Sequence, residues 1–397
     1  MNENKTTNMT AEEAAALVRK STGATEVKTT DRINNTDTMR KLLIVGTGDG
    51  GCNIASAIRQ AVPSCLAITY NTSNKGMDNI KTDMMIIPNA EDGSGKERSY
   101  SQEVFKAKPY DNLLRGAQEL DDKYDLDYVI VTSTADGGTG GGVSPMVAKL
   151  LSDNLDVPVI ILGVYPAISE DAVAQQNAIL WQKDVEKTKL PYMIFDNEGP
   201  NKLEMHAAVN ASVVQAVRII AGEPFGETNL SSIDNRDMYM LLSHLGGRIV
   251  VASSYARPSV NQSLDSYLIS MLNPTNTHQP LPANLRGIGL FLKGPKSFLD
   301  TVNTSLSGIC EHYGEAALKY THMEESDSFM LAIIMSGNME PANRIMIMRQ
   351  RYDEICAGMK SESDSVLDNA LGGMDNLIGT PRKKTRPAEA DLSALDL

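Results

Sequence analysis

The chain has 397 residues, 42% hydrophobic and 22% charged, with a formal net charge of -13. That length exceeds one ordinary core and implies two domains with tails. The acidic balance argues against nucleic-acid binding by the body, which needs clustered Lys and Arg; no apolar run is long enough to span a membrane, and no signal segment opens the chain.

Residues 1–39 read as a polar arm, with a capping box at Thr10-Ala11-Glu12-Glu13 opening a short helix through Arg19. An apolar strand over 41–45 then delivers Gly46-Thr47-Gly48-Asp49-Gly50-Gly51-Cys52-Asn53, followed by a helical stretch over 54–59. Gly46, Gly48 and Gly51 satisfy G-x-G-x-x-G, but the next strand (65–70) ends in Asn71-Thr72-Ser73-Asn74 without the acid that a dinucleotide site places on the ribose. A P-loop is excluded, because Gly95-Lys96 is followed by Glu97 and no glycine stands five residues before Gly95.

The strand signal over 128–131 leads into the densest glycine run, Ala135-Asp136-Gly137-Gly138-Thr139-Gly140-Gly141-Gly142-Val143-Ser144-Pro145, with a helix expected to start at Ser144-Pro145. Glycines let backbone N–H groups approach an anion, and a helix N-terminus adds the positive end of its dipole. Strand ends near Val45, Tyr70, Ser133, Tyr165 and Phe195, alternating with helical stretches, predict a doubly wound parallel sheet with both glycine loops at its ligand-binding edge.

A long helix is expected over 207–221, with apolar residues at Val209, Val213, Val214, Val217 and Ile220. Beyond a turn and the segment Ser232-Ile233-Asp234-Asn235-Arg236-Asp237, strands over 248–252, 287–292 and 329–335, with a helix over 296–310, predict a second α/β domain. A helix over 341–356 and a polar tail over 361–397 complete the chain; the tail holds a basic run, 382–386, and an acidic-apolar end, 389–397. The scattered cysteines (Cys52, Cys65, Cys310, Cys356) and five histidines show no metal spacing, so reduced thiols, a cytoplasmic protein and no metal-ligating residues are expected.

The order of these motifs resembles the tubulin and FtsZ superfamily. Gly137, Gly138, Thr139, Gly140, Gly141 and Gly142 are similar to its signature loop, with Asp136 where a small residue is usual and Gly141 where Ala or a hydroxyl residue is usual. The first phosphate loop would be Gly46, Gly48, Asp49, Gly50, Gly51, Cys52 and Asn53; the second Asn71 and Thr72, with Ser73 in place of an acid; the third would place Gly95 and Lys96 near the γ-phosphate. The resemblance implies that Glu170 reaches the ribose, with Ala174 where FtsZ carries an arginine, that Asn197 lies in the sixth loop, and that Asn210 reads the guanine edge from the central helix. It makes Asp234 and Asp237 the acidic pair that completes the site of a neighbouring subunit; taken alone, the two would read as a solvated turn with a helix cap.

The implied architecture is a polar arm (1–39), a parallel-sheet GTP-binding domain (40–205), a central helix and catalytic loop (206–240), a smaller α/β domain (241–340), and a C-terminal helix with polar tail (341–397). The implied protein binds GTP/GDP with Mg²⁺, polymerises head to tail with itself, and hydrolyses GTP at subunit junctions. The divergent loops and long C-terminal segment look most like the plasmid and phage tubulins, TubZ and PhuZ. On that likeness, it positions phage or plasmid DNA, with an adaptor or phage component engaging the tail. The alternatives are an FtsZ-like division GTPase, a Rossmann-type oxidoreductase, and a structural protein that binds without hydrolysis.

Overall fold

The computed structural model describes residues 39–88, 93–107, 109–199, 201–244, 247–259, 261–280, 284–338 and 342–371. The expected arm helix, the basic run and the acidic-apolar end lie outside the described residues. Two compact units divide between Tyr352 and Asp353; the described part of the second is helical through Leu371.

In the first unit, ten strands join one sheet: β1 (Leu42–Thr47), β2 (Cys65–Tyr70), β3 (Met84–Ile86), β4 (Tyr128–Thr134), β5 (Val159–Tyr165), β6 (Tyr192–Asp196), β7 (Arg248–Ser254), β8 (Asn284–Gly294), β9 (Leu318–Glu325) and β10 (Met330–Asn338). The order is β3-β2-β1-β4-β5-β6-β7-β10-β8-β9. Pairing is parallel from β3 through β7, while β10 runs antiparallel to both β7 and β8. The strand order therefore reverses at β1, whose Val45 faces Ile68 on one side and Val131 on the other. A crevice opens beyond the carboxyl ends of strands at such a reversal.

Both faces of the inner strands are covered, which is why they read as continuous apolar runs. Leu42, Ile44, Ile130 and Leu162 face one core; Leu43, Val45, Val131 and Ile161, alternating with them, face the other. The principal helices around the first half are α1 (Gly48–Ala61), α2 (Arg98–Ala107), α3 (Pro109–Tyr124), α4 (Gly138–Asn154), α5 (Ala172–Thr188) and α6 (Lys202–Ala221). Val213, Val217 and Ile220 of α6 share a core with Ile44 of β1 and with Val251 and Ile334 of the antiparallel half. The central helix thus ties both halves of the sheet into one body.

Four local expectations are corrected. α4 begins at Gly138 rather than at Ser144-Pro145, so the glycines form its first turns and Pro145 lies inside it. Burial of that whole stretch overrides the poor helix propensity of glycine. α6 begins at Lys202 rather than residue 207, because the Asn201 side chain accepts hydrogen bonds from the amides of Leu203 and Glu204. The helix expected over 296–310 is two short ones, Lys296–Leu299 and Ser307–Tyr313, separated by an Asx turn at Asn303 and by Leu306 in a left-handed conformation. The final helix, Ala342–Leu371, runs past the expected end at residue 356 into the segment expected to be tail.

Candidate functional site

The two glycine loops follow β1 and β4, the neighbours at the sheet's reversal. α1 and α4 start there, and neither is capped by a side chain: Thr47 and Gly137 occupy the N-cap positions without accepting from the helix amides, and the Thr47 hydroxyl donates instead to Thr132 O. Their first-turn amides are left for an external acceptor, and an anion suits both their N–H groups and the helix dipoles. The loops interlock closely. Gly48 has φ +69°, and a Cβ on it would stand 2.6 Å from the Gly140 nitrogen. A Cβ at Gly51 would meet Thr132 O at 2.3 Å, and one at Gly138 would meet Ser94 Oγ at 2.4 Å. At Gly141, where the family usually carries a small side chain, it would meet Ala135 O at 2.5 Å, so glycine is required in this geometry.

Hydroxyl groups from three loops converge beside these glycines. Thr72 and Thr139 share a hydrogen bond of 2.6 Å between their Oγ1 atoms, and Thr139 donates to Ser94 Oγ at 3.2 Å. Asn71 Nδ2 donates to Asp49 Oδ1 at 2.6 Å, joining the second loop to the first. Cys52, the fifth residue of α1, has its side chain fully buried, its thiol directed at the carbonyls of Gly46 and Tyr70. Burial pushes that thiol well above the usual range, so any contact from Cys52 to a ligand is through its backbone.

Gly95 and Lys96 both have positive φ, at 56° and 66°. Lys96 Nζ donates to Asp171 Oδ2 at 2.6 Å, and the same carboxylate caps α5 by accepting from the Ala174 amide. The Lys96 hydrogen bond, ahead of the cap, holds the Asp171 carboxyl below its ordinary range. Ala174, where FtsZ has arginine, is buried against α5's neighbours.

Next to the glycine loops is a cavity of about 450 Å³ whose walls include Gly50, Asn53, Asp136, Glu170, Asn197 and Asn210. Its size falls in the range of small-ligand sites. Asn197 Oδ1 is buried there without a donor, an acceptor in want of a ligand hydrogen bond. Lys202 and His206 line the same cavity and were not foreseen. They precede Asn210 by two turns and one turn on α6, so an i, i+4, i+8 stripe of polar residues would have found them had the helix been started at its true cap. Lys202 forms an ion pair with Glu170, which raises the lysine's pKa.

Asp234 and Asp237 are elsewhere. They form a reciprocal capping box on the short helix α7 (Asn235–Tyr239): Asp234 Oδ1 accepts from the Asp237 amide at 2.8 Å, and Asp237 Oδ2 accepts from the Asp234 amide at 3.2 Å. Asp234, not Asp237, is the cap. Asn235 reaches Asp127, just before β4, and Arg40, whose pKa burial lowers against weaker opposing effects of Tyr128, Asp127 and Asp234, bonds to the carbonyls of Ile220 and Ala221 at the end of α6. The acidic pair therefore lies at the amino edge of the sheet and the cavity at its carboxyl edge. α6, 20 residues long, separates them by about 30 Å.

Residues 41–203 match the family model described as the Tubulin/FtsZ family, GTPase domain. Residues 41–203 form a domain of the tubulin/FtsZ superfamily. Tubulin-like protein CetZ2 of Haloferax volcanii is 24% identical over 261 residues, 61% of this chain and 71% of that protein. Tubulin-like protein TubZ of Clostridium botulinum C phage is 31% identical over 184 residues, 43% of this chain and only 48% of the relative. The solved GTPγS-bound protofilament of Haloferax volcanii CetZ2 superposes with a TM-score of 0.63 at 20% identity, covering 81% of this chain and 99% of that one. At that identity the likeness concerns the fold, and the tubulin/FtsZ α/β fold is the one observed.

Proposed function

We propose that this tubulin-like chain binds GTP at the carboxyl edge of its sheet, polymerises head to tail, and hydrolyses GTP at the junction between copies. The observation that carries the proposal is the opposition of its two half-sites: uncapped helix N-termini and a cavity at one edge, a carboxylate pair at the other. Within one chain about 30 Å of α6 keeps them apart; stacking two copies along that axis brings them together. Such a contact uses different surfaces on each copy and does not close, so it propagates as a filament.

In this assignment the amides of Gly46–Asn53 and Gly137–Gly142 cradle the phosphates, with Thr72, Thr139 and Lys96 around them. Lys96 must leave Asp171 to reach a γ-phosphate. Glu170, oriented by Lys202, takes the ribose, while Asn197 and Asn210 address the base. Asp234 of one copy orients the attacking water over the phosphate of the next, and Asp237 supports it. Mg²⁺ would be held chiefly by phosphate oxygens and water, with Asp49 the carboxylate among the first-loop residues to complete its shell. The division into a nucleotide domain (40–205), central helix and catalytic loop (206–240), second domain (241–340) and tail belongs to the same proposal.

The likeness to a phage-encoded TubZ favours a role in positioning phage or plasmid DNA, through an adaptor or phage component that engages the C-terminal tail. No helix among the described residues is long and apolar enough to cross a membrane, and a cytoplasmic filament is proposed. Binding of fluorescent GTP to the full chain, competed by unlabelled GTP, GDP and ATP, tests the site. GTP and GDP should compete and ATP should not, and Asn210→Leu should weaken GTP about tenfold, the scale of one or two hydrogen bonds to a base edge. Equal competition by ATP, or unchanged binding by the variant, contradicts the assignment.

A further inference from the structure

Proline interrupts a helical hydrogen-bond ladder, because its nitrogen has no hydrogen and its ring crowds the carbonyl four residues back. In α4 the proline is Pro145, so that carbonyl is Gly141 O, within the phosphate-binding glycines. It is not left bare. Arg98 Nη1 donates to Gly141 O at 2.5 Å and also reaches Asn177 O at 3.2 Å.

Two more side chains on the same face of α2 repeat the pattern. Ser101 Oγ donates to Gly138 O at 2.6 Å, and Gln102 Nε2 donates to Gly142 O at 3.1 Å. Donors at 98, 101 and 102 thus match acceptors at 138, 141 and 142: an i, i+3, i+4 stripe on one helix is laid along the same stripe on the other. The approach needs glycine, since a Cβ at Gly142 would stand 3.0 Å from both Arg98 O and Ser101 Oγ. Arg98 is itself buried and held from behind by Asp184.

We propose that Arg98 is a positioning residue for phosphate binding: it gives Gly141 the donor that Pro145 lacks, and so fixes the turns of α4 that present the glycine amides. The role rests on the GTP-binding function proposed above. Because α2 follows directly on the Gly93–Lys96 loop, the same contacts join that loop to the glycine helix.

The proposal is tested by restoring the missing donor. Pro145→Ala places an N–H where Gly141 O can accept it, so it should offset loss of Arg98. Arg98→Met alone would strand a buried carboxylate, so the background is Arg98→Met/Asp184→Leu. Affinity for fluorescent GTP and melting temperature are measured on the full chain for the wild type, Pro145→Ala, the double variant and the triple variant. The double variant should bind about tenfold more weakly than wild type, as expected when a buried acceptor loses its donor. Pro145→Ala should change wild-type affinity little, and in the triple variant it should recover most of the loss.

A triple variant no better than the double, or an equal gain from Pro145→Ala in the wild type, overturns the proposal. Should the double variant not fold, Arg98→Lys with and without Pro145→Ala is read the same way, with recovery again required. If the wild type does not bind GTP, the proposed function fails, while the melting temperatures of the same set still decide whether Arg98 substitutes for the missing donor.

Discussion

At the residue scale, the glycine loops were legible because glycine is demanded by contacts that no other residue survives. Gly48 combines a positive φ with a close approach to Gly140, and Gly51 lies against the backbone of β4. Lys202 and His206 were missed for a local reason: the cap that starts α6 is a single asparagine side chain, which apolar periodicity does not register. Read locally, Asp234 and Asp237 are a solvated turn with a helix cap, and the backbone makes Asp234 that cap. A different residue is expected to contribute to acid sensitivity. His322 is buried between Phe225 and Phe291 with its Nε2 unpartnered, and burial lowers its pKa below the ordinary histidine value. The unfolded chain then takes the proton first, so stability is full above about pH 6.5 and is lost as the pH falls through and below that value. Melting temperature measured from pH 7.5 to 5 should therefore fall more steeply in the wild type than in His322→Phe; parallel curves would show that His322 carries none of the slope.

At the scale of elements, the parallel strands and the helices between them were readable, because burial on both faces leaves unbroken apolar runs. The two missed strands, β3 and β9, are the two edges of the sheet. Edge strands are partly solvated and admit mixed sequences such as Leu-Lys-Tyr-Thr-His-Met-Glu-Glu in β9, which carry little periodic signal. The long final helix was cut short because the run Lys360-Ser361-Glu362-Ser363-Asp364-Ser365 is wholly polar and interrupts the apolar pattern. The start of that helix also reaches the wall of the candidate site. Arg344 donates to both Asp196 carboxylate oxygens, at 2.6 and 2.9 Å, and to Pro166 O at 2.7 Å. Those acceptors neighbour Ala167 and Asn197 in the cavity wall. Arg344→Ala leaves Asp196 unpaired in a largely buried setting and should cost roughly 3 kcal/mol of stability, with GTP affinity falling several-fold. Chemical denaturation and nucleotide titration would check both; a variant as stable and as tight-binding as wild type would remove Arg344 from the account of the fifth and sixth loops.

At the scale of the whole first unit, a single sheet sets the geometry of function. Parallel strands put every βα loop at one edge, so the glycine loops, the hydroxyl cluster and the cavity assemble there without long-range adjustment. α6 then carries the chain to the opposite edge, where the acidic pair is fixed by a helix cap rather than by the nucleotide. This separation was implied by family order alone, since no local pattern reports which edge of a sheet a loop will occupy. The measurement that tests the central claim most directly is phosphate release recorded together with light scattering, against protein concentration, in GTP and Mg²⁺. Turnover and scattering should rise above one shared critical concentration, and Asp234→Ala should abolish turnover while leaving assembly intact. Hydrolysis that follows simple saturation with no scattering, or an Asp234→Ala variant that still turns over at the wild-type rate, would contradict a site completed between copies.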